Sequence, residues 1–390
     1  MKKISNNKNI NRMKKTTVIL ATTLIIFTGC TAKKQSSDEL ITIDVTASYP
    51  KKELILQDFM DVEYIPLETT DEFLCRGRVL AVGEKIVLVE NTAIDGEILL
   101  FDRNGKGLKK INRRGQSGEE YTNIHDALLD EANDEIYIND GSPKGTFVYD
   151  LNGKFKRELK HKDDTMYPIV RNFNDAGLIW WNSAFEFDLN SVEMPSFYIT
   201  SKHNGTITEE IEIPIEKRRS TRIHTYDDKG KIIQSIKPYF IPIIPFHDKW
   251  ILTEPSSDTI YSYSPDHKLK PFIVKTPPMK EMDTETFLFP WALLDNYYFM
   301  QIARKTNNYS MVDIMYDKKT GTICEYEMYN DDFTNKKLVH MIGRIIYNED
   351  IIFWNAIEAF TLVEAYEKGE LKDRLKEIAA TLNEESNPVI

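Results

Sequence analysis

The stretch LFDRNGKGLKKINRRGQSGEEY, residues 100–121, sets four glycines among basic residues, the composition of a loop that cradles phosphate. A P-loop requires Gly-Lys-Ser/Thr after its glycine run, and a dinucleotide fingerprint requires three glycines at fixed offsets opening a helix. Neither pattern occurs, and Gly118 is followed by Glu119 and Glu120, which repel the anion that backbone N–H groups would attract. A calcium loop fails as well. Asp102 and Asn104 suit its first and third positions, but Lys106 stands at the fifth and Arg113 at the twelfth, where a bidentate Glu belongs. The seven histidines (125, 161, 203, 224, 247, 267 and 340) form no His-x-His or His-Glu-x-x-His group, so no metal-hydrolase signature is present, and no Gly-x-Ser-x-Gly elbow occurs.

The same words return at intervals. LLFDRNGKGLKKI (99–111) is echoed by FVYDLNGKFKREL (147–159), YITSKHNGTITEEI (198–211), IYSYSPDHKLKPFI (260–273) and DIMYDKKTGTICEYE (313–327). Each reads as strand, tight turn, strand, with turns centred on Gly105, Gly153, Gly205, His267 and Gly321, spaced by 48, 52, 62 and 54 residues. A further pair of strand-like runs precedes each copy, such as NIHDALLD and EIYIND before the second. Four short strands per repeat of about 50 residues is the pattern of a β-propeller blade. A sixth unit is expected from GRIIYNEDIIFWNA (343–356), and residues 64–91 supply the early strands of the first.

The order DVEYIPLETT, LLFDRNGKGLKKI, GQSGEEYTNI, EIYIND, FVYDLNGKF resembles the six-bladed β-propeller lipoproteins of Gram-negative gut bacteria, themselves similar to NHL-repeat propellers. The resemblance spans about residues 40–390 and implies an all-β, six-bladed propeller. That family has no agreed activity, so the resemblance bears on shape. Its usual Gly-x-Gly-Pro-Gly-Glu-Tyr segment stands here as RRGQSGEEY, lacking the proline and one glycine.

On this fold RRGQSGEEY is the crossing from the outer strand of one blade to the innermost strand of the next. Such crossings need turn glycines, and loops on a propeller face are also where ligands meet the scaffold. Arg113, Arg114, Glu119, Glu120 and Tyr121 therefore form a candidate binding face, near the channel mouth that His125 and Asp126 enter. His125 and Asp126 read either as a hydrogen-bonded pair at a strand start or as channel groups, ligating a cation or acting as acid and base as in calcium-dependent lactonase propellers. Trp180 and Trp181 point to opposite faces of their strand, and read either as core or as an aromatic platform for a sugar ring.

The first 15 residues carry Lys2, Lys3, Lys8, Arg12, Lys14 and Lys15 and no acid, followed by the apolar TTVILATTLIIFTG and then Cys30. The apolar run is shorter than the roughly 20 residues a spanning helix requires, so residues 1–29 read as a signal peptide. Thr-Gly-Cys resembles a lipobox, which makes Cys30 the lipidation site and residues 30–39 a tether, with Phe27 where Leu is usual. Removing residues 1–29 takes away six cations and moves the formal charge from −11 to −17, an acidity that disfavours nucleic acid as a partner. Cys75 and Cys324 lie in different repeats and read as buried thiols.

Past the blades, Leu371, Leu375, Ile378 and Leu382 share one helical face after Gly369, so helices are expected within about 356–384. With NPVI ending the sequence, LITIDV (40–45) is expected to close the ring by pairing with the last blade. Two functions follow. One is a lipid-anchored outer-membrane module, on either side of that membrane, that binds a glycan, a peptide or an envelope protein without a cofactor. The alternative is a propeller hydrolase or lyase using channel carboxylates, with calcium.

Overall fold

The computed structural model describes residues 40–390 except 76–77, 92–94, 141–144, 162–167, 187–194 and 342–352. Its scaffold is a β-propeller, and among the described residues it has five four-stranded antiparallel blades. The first comprises Arg78–Val82, Ile86–Glu90, Glu97–Asp102 and Gly107–Asn112; the second Asp126–Asp130, Glu135–Asn139, Gly145–Asp150 and Phe155–Lys160. The third comprises Ile169–Asn172, Gly177–Trp181, Phe197–Ser201 and Ile207–Ile211. The fourth comprises Ile243–Phe246, Lys249–Leu252, Thr259–Tyr263 and Leu269–Thr276; the fifth Thr286–Leu293, Tyr297–Lys305, Tyr309–Asp317 and Thr322–Asn330. In each, chain order is sheet order, from the innermost strand outward.

The expected turn residues all adopt left-handed backbone: Gly105, Gly153, Gly205 and Gly321 with φ of 83°, 79°, 75° and 69°, and His267 with 62°. The mechanism is in the sequence. The Asp102 carboxylate accepts the N–H of Asn104 and Lys106 (2.8 and 2.9 Å), and Asp150 does the same for Asn152 and Lys154 (2.9 Å each). Asp-x-Asn-Gly-Lys is thus a turn closed by its own side chain.

The core lies between blades, since each blade buries both faces. Leu88, Leu100, Ile136 and Phe147 join the first to the second, and Tyr137, Val148, Trp180 and Tyr198 the second to the third. Ile179, Trp181, Ile243 and Leu252 join the third to the fourth, and Ile244, Ile273, Met300 and Ile314 the fourth to the fifth. Cys75 and Cys324 are both buried.

Two expectations are corrected. Among the described residues the blades number five, not the expected six. Most of the sixth unit, 343–352, lies outside the described residues, and 353–356 form no strand. Between the fifth and first blades the described chain instead has a short three-segment ladder. Ile65 and Ile390 exchange backbone bonds (2.8 and 2.9 Å), as do Ile357 and Val389 (2.7 and 2.9 Å). Helices Ala359–Glu367 and Asp373–Ala379 pack beside it through Leu362, Leu375 and Ile378, on apolar residues at helical spacing.

Ring closure also differs from expectation. Ile41–Asp44 runs parallel to the outer strand of the fourth blade, not the last, and Lys51–Ile55 takes that place on the fifth. Both additions cover an outer edge that would otherwise present unpaired backbone groups.

Gly105 is constrained twice, by its φ and by Pro66: a Cβ there would stand 1.8 Å from the Pro66 carbonyl oxygen. Gly230 has a similar φ of 77° and open space around it. We therefore expect Gly105→Ala to cost about 2–4 kcal/mol in urea unfolding, from backbone strain and overpacking together. Gly230→Ala should cost about 1 kcal/mol, the left-handed penalty alone. Equal costs would show that the Pro66 contact does not constrain the ring.

Candidate functional site

The sequence-predicted face turns out to be a loop folded on itself. Tyr121 is fully buried: its hydroxyl donates to the Gly96 carbonyl at 2.5 Å, and its ring meets that of Tyr149 edge-on at 5.9 Å. Burial pushes its phenol up to about 12. Arg113 is exposed, with its Nε donating to the Gly153 carbonyl at 2.7 Å, and Arg114 Nε donates to the Thr122 carbonyl at 3.1 Å. Glu120 accepts the Ser117 N–H at 3.0 Å, and bonds from Ser117 hold its carboxyl below the ordinary range. Glu119 is exposed, and its carbonyl accepts the Tyr149 hydroxyl at 2.8 Å. Arg113, Arg114, Glu119 and Glu120 therefore remain at the surface, while Tyr121 belongs to the seam between the first two blades.

His125 is exposed, with its backbone N–H bonded to the Asn139 carbonyl at 2.9 Å. Asp126 begins the second innermost strand, is buried, and faces Arg171 on the third innermost strand at 3.3 Å. Burial pushes the Asp126 carboxyl up, and the Arg171 guanidinium pulls it back. Trp180 and Trp181 are 1% and 3% exposed, one packed toward the second blade and the other toward the fourth, so neither offers a ring face to a ligand. Cys30 lies outside the described residues.

A charged network that the sequence reading did not identify joins the third, fourth and fifth blades. In an antiparallel meander, the second-to-third-strand loops and the blade-to-blade crossings leave the same end of the strands. Residues 182–186, 195–196, 212–242, 253–258 and 277–285 meet there. Arg218 reaches Glu254 at 3.2 Å, and their side chains are only 6% and 0% exposed. Arg218 also donates to Ser196 Oγ at 2.7 Å. Glu186 accepts the N–H and hydroxyl of Thr221 at 3.1 Å, and Arg222 approaches it at 3.9 Å. Glu285 holds Arg219 at 2.8 Å and Lys305 at 3.0 Å, while Lys305 also donates to the Ser220 carbonyl at 2.7 Å. Desolvation and the neighbouring Arg222 hold the Lys237 ammonium below its ordinary range, with Glu186 opposing them.

The available signal was EKRRSTR, residues 216–222, a basic run in an acidic chain. Its partners come from three other connections and from Lys305 at the end of a fifth-blade strand, a convergence no local motif encodes. Chemically, the network fixes one segment, 218–222, through paired charges. Among the described residues no group of three or more His, Cys, Asp or Glu side chains is placed to hold a metal ion.

From the anchored segment rises an insertion between the third and fourth blades, a hairpin of Ile223–Tyr226 and Ile232–Ile236 that pairs with no further strand among the described residues. Its turn is another copy of the repeated word, with Asp227 accepting the N–H of Lys229 and Lys231 at 2.9 and 2.8 Å.

Removing one partner of the Arg218–Glu254 pair leaves a charge buried. We expect Arg218→Ala to destabilise the protein by about 3–5 kcal/mol in urea unfolding. The double change Arg218→Met with Glu254→Leu should recover most of the loss. A single change costing no more than a surface substitution would show that Glu254 reaches water.

The chain belongs to the family described as a domain of unknown function, DUF4934, whose model matches residues 40–390. No curated protein matches it. A Bacteroides fragilis protein designated as exported shares the fold, with a TM-score of 0.59 and 13% identity over 90% of this chain and 98% of that one. A DUF4221 family member from Bacteroides vulgatus gives a TM-score of 0.41 at 10% identity, over 69% of this chain and 89% of that one. A catalytically inactive variant of virginiamycin B lyase from Staphylococcus aureus gives 0.33 at 12%, over 64% and 87%. At those scores the last two carry no argument.

Proposed function

We propose that this DUF4934 member is an exported binding module of the cell envelope, anchored to the outer membrane through a lipid on Cys30. In this reading it displays the ends of its blade-to-blade connections to a glycan, a peptide or a partner protein. The observation that carries the reading is the charged network around residues 218–222. Its carboxylates Glu186, Glu254 and Glu285 are each engaged by a cation or a hydroxyl, an arrangement suited to holding a surface still. Asp126, the channel carboxylate that a hydrolase or lyase would use, is likewise engaged by Arg171. The basic N-terminus, apolar run and Thr-Gly-Cys support export and lipidation, and the structural likeness to a protein designated as exported agrees with that address.

The full chain, solubilised and presented to glycan and peptide arrays, should bind a ligand saturably and release it with unchanged mass. Chemical conversion of the bound ligand would replace the binding reading with the enzymatic one. Cys30→Ser should shift the protein from the membrane fraction to the soluble one, because the apolar run alone is too short to span a bilayer. Retention of that variant in membranes through a carbonate wash would refute lipid anchoring at this cysteine.

A further inference from the structure

The hairpin of residues 223–236 differs from every blade hairpin in what it leaves uncovered. Of the eleven exposed large apolar side chains among the described residues, four fall within residues 226–239: Tyr226, Ile232, Ile233 and Tyr239. Tyr226 and Ile232 are cross-strand partners and so share one face of the ribbon. Ile233 sits at the register shift beside them, 63% exposed. A two-stranded ribbon is marginal in water unless a third strand or a packed surface joins it. Both outer edges of this one are open among the described residues.

Charge distinguishes it too. Lys229, Lys231 and Lys237 are exposed on and beside the ribbon against Asp227 and Asp228, a formal +1 in a chain of −11, while Arg222 is turned to Glu186. The Asp227 carboxylate is already committed to closing the turn. The root, by contrast, is fixed. Thr221 is buried on Glu186, Arg222 reaches Ser235 Oγ at 3.4 Å, and on the return side Phe240 stacks on Phe289 at 4.7 Å. A rigid base carrying an open-edged, basic and apolar ribbon is the geometry of strand addition, where backbone bonds supply affinity and alternate side chains supply selectivity.

We propose that the 223–236 hairpin captures an extended acidic peptide segment of a partner protein as a third β-strand. The peptide's apolar residues lie over Tyr226 and Ile232, and its carboxylates face the lysines. The inference rests on the binding-module reading and names the partner class and its dock. A second copy of this chain is a poorer fit, because apposing two hairpins would bring like charges together.

The test uses the full chain and a fluorescent peptide of about twelve residues alternating Glu and Val, long enough to run the length of either strand. Anisotropy should show saturable binding that weakens about tenfold or more when salt is raised to screen the contact. Lys229→Glu with Lys231→Glu should weaken it by about tenfold or more as well, with an unfolding midpoint like that of the parent, since both positions are exposed turn residues. A Lys–Val peptide, or a Glu–Val peptide interrupted by proline, should not bind. Equal binding of the Glu–Val peptide by the charge-reversed variant overturns the proposal. So does binding of phosphatidylglycerol vesicles in place of the peptide, which would make the hairpin a membrane contact. Replacing 223–236 by a Gly-Ser linker separates the two readings. Array ligands that survive the replacement sink the hairpin dock and leave the binding module standing, whereas a chain that binds no array ligand with its hairpin intact sinks the module itself.

Discussion

From the first blade to the fourth the ring depends on one repeated contact, the outer turn of a blade resting against the outer strand of the blade before it. A Cβ on Gly153 would stand 2.8 Å from Ile111 Cγ2, and one on Gly205 would stand 3.0 Å from Leu159. In the fourth blade the turn residue is His267, and its ring supplies the contact by bonding Glu209 on the preceding outer strand. Cations reinforce the seams. Arg113 donates to Gly153, and Arg157 donates to Lys202 at 2.7 Å while Lys202 meets Asp130 at 2.6 Å. For the first blade the preceding position is filled by Pro66, which belongs to the short ladder with the C-terminal residues. Closure is therefore a junction between the two ends of the propeller, and Gly105 has no side chain because that junction leaves no room for one.

The junction explains why Asn387 is 1% exposed near a chain end. Its amide donates to the Glu68 carbonyl at 2.7 Å and to that of Phe73, and it accepts the Cys75 N–H at 2.8 Å. These bonds satisfy an irregular stretch that no sheet covers, as buried backbone groups require. Residues 388–390 then enter the ladder already held in register.

What the sequence disclosed follows the range of the forces involved. The turns were legible because their chemistry is local: an Asp, a left-handed residue and the N–H groups within four positions of the Asp. The two helices were legible from apolar spacing, and the blade strands from alternation. The strand that closes the last blade was not, since strand-like runs announce an ability to pair and not which neighbour they pair with. Tyr121 was misplaced for the same kind of reason. A tyrosine in a glycine-rich loop reads as exposed until the Gly96 carbonyl and the Tyr149 ring, brought by other strands, are seen to enclose it. The network of Glu186, Arg218, Glu254 and Glu285 is assembled from separate connections, so only its basic segment leaves a trace in the sequence.

The hairpin at 223–236 shows how one local word acquires two fates. Asp227-Asp-Lys-Gly230-Lys closes its turn by the same two bonds as Asp102-Arg-Asn-Gly105-Lys. In the blade, the strand before the turn is buried from Ile98 to Phe101 and pairs on both edges. In the insertion, Thr225 and Tyr226 before the turn and Ile232 to Ser235 after it are exposed, and among the described residues each strand pairs on one edge. The turn code is indifferent to this difference, so packing alone separates a structural hairpin from a displayed one. A hairpin built only for stability would be expected to carry polar residues where water reaches it, as the outer strand Phe155–Lys160 carries Lys156 and Lys160. This one carries Tyr226, Ile232 and Ile233 in water above a root locked by buried charges, and on that combination, display above and rigidity beneath, the proposed dock rests.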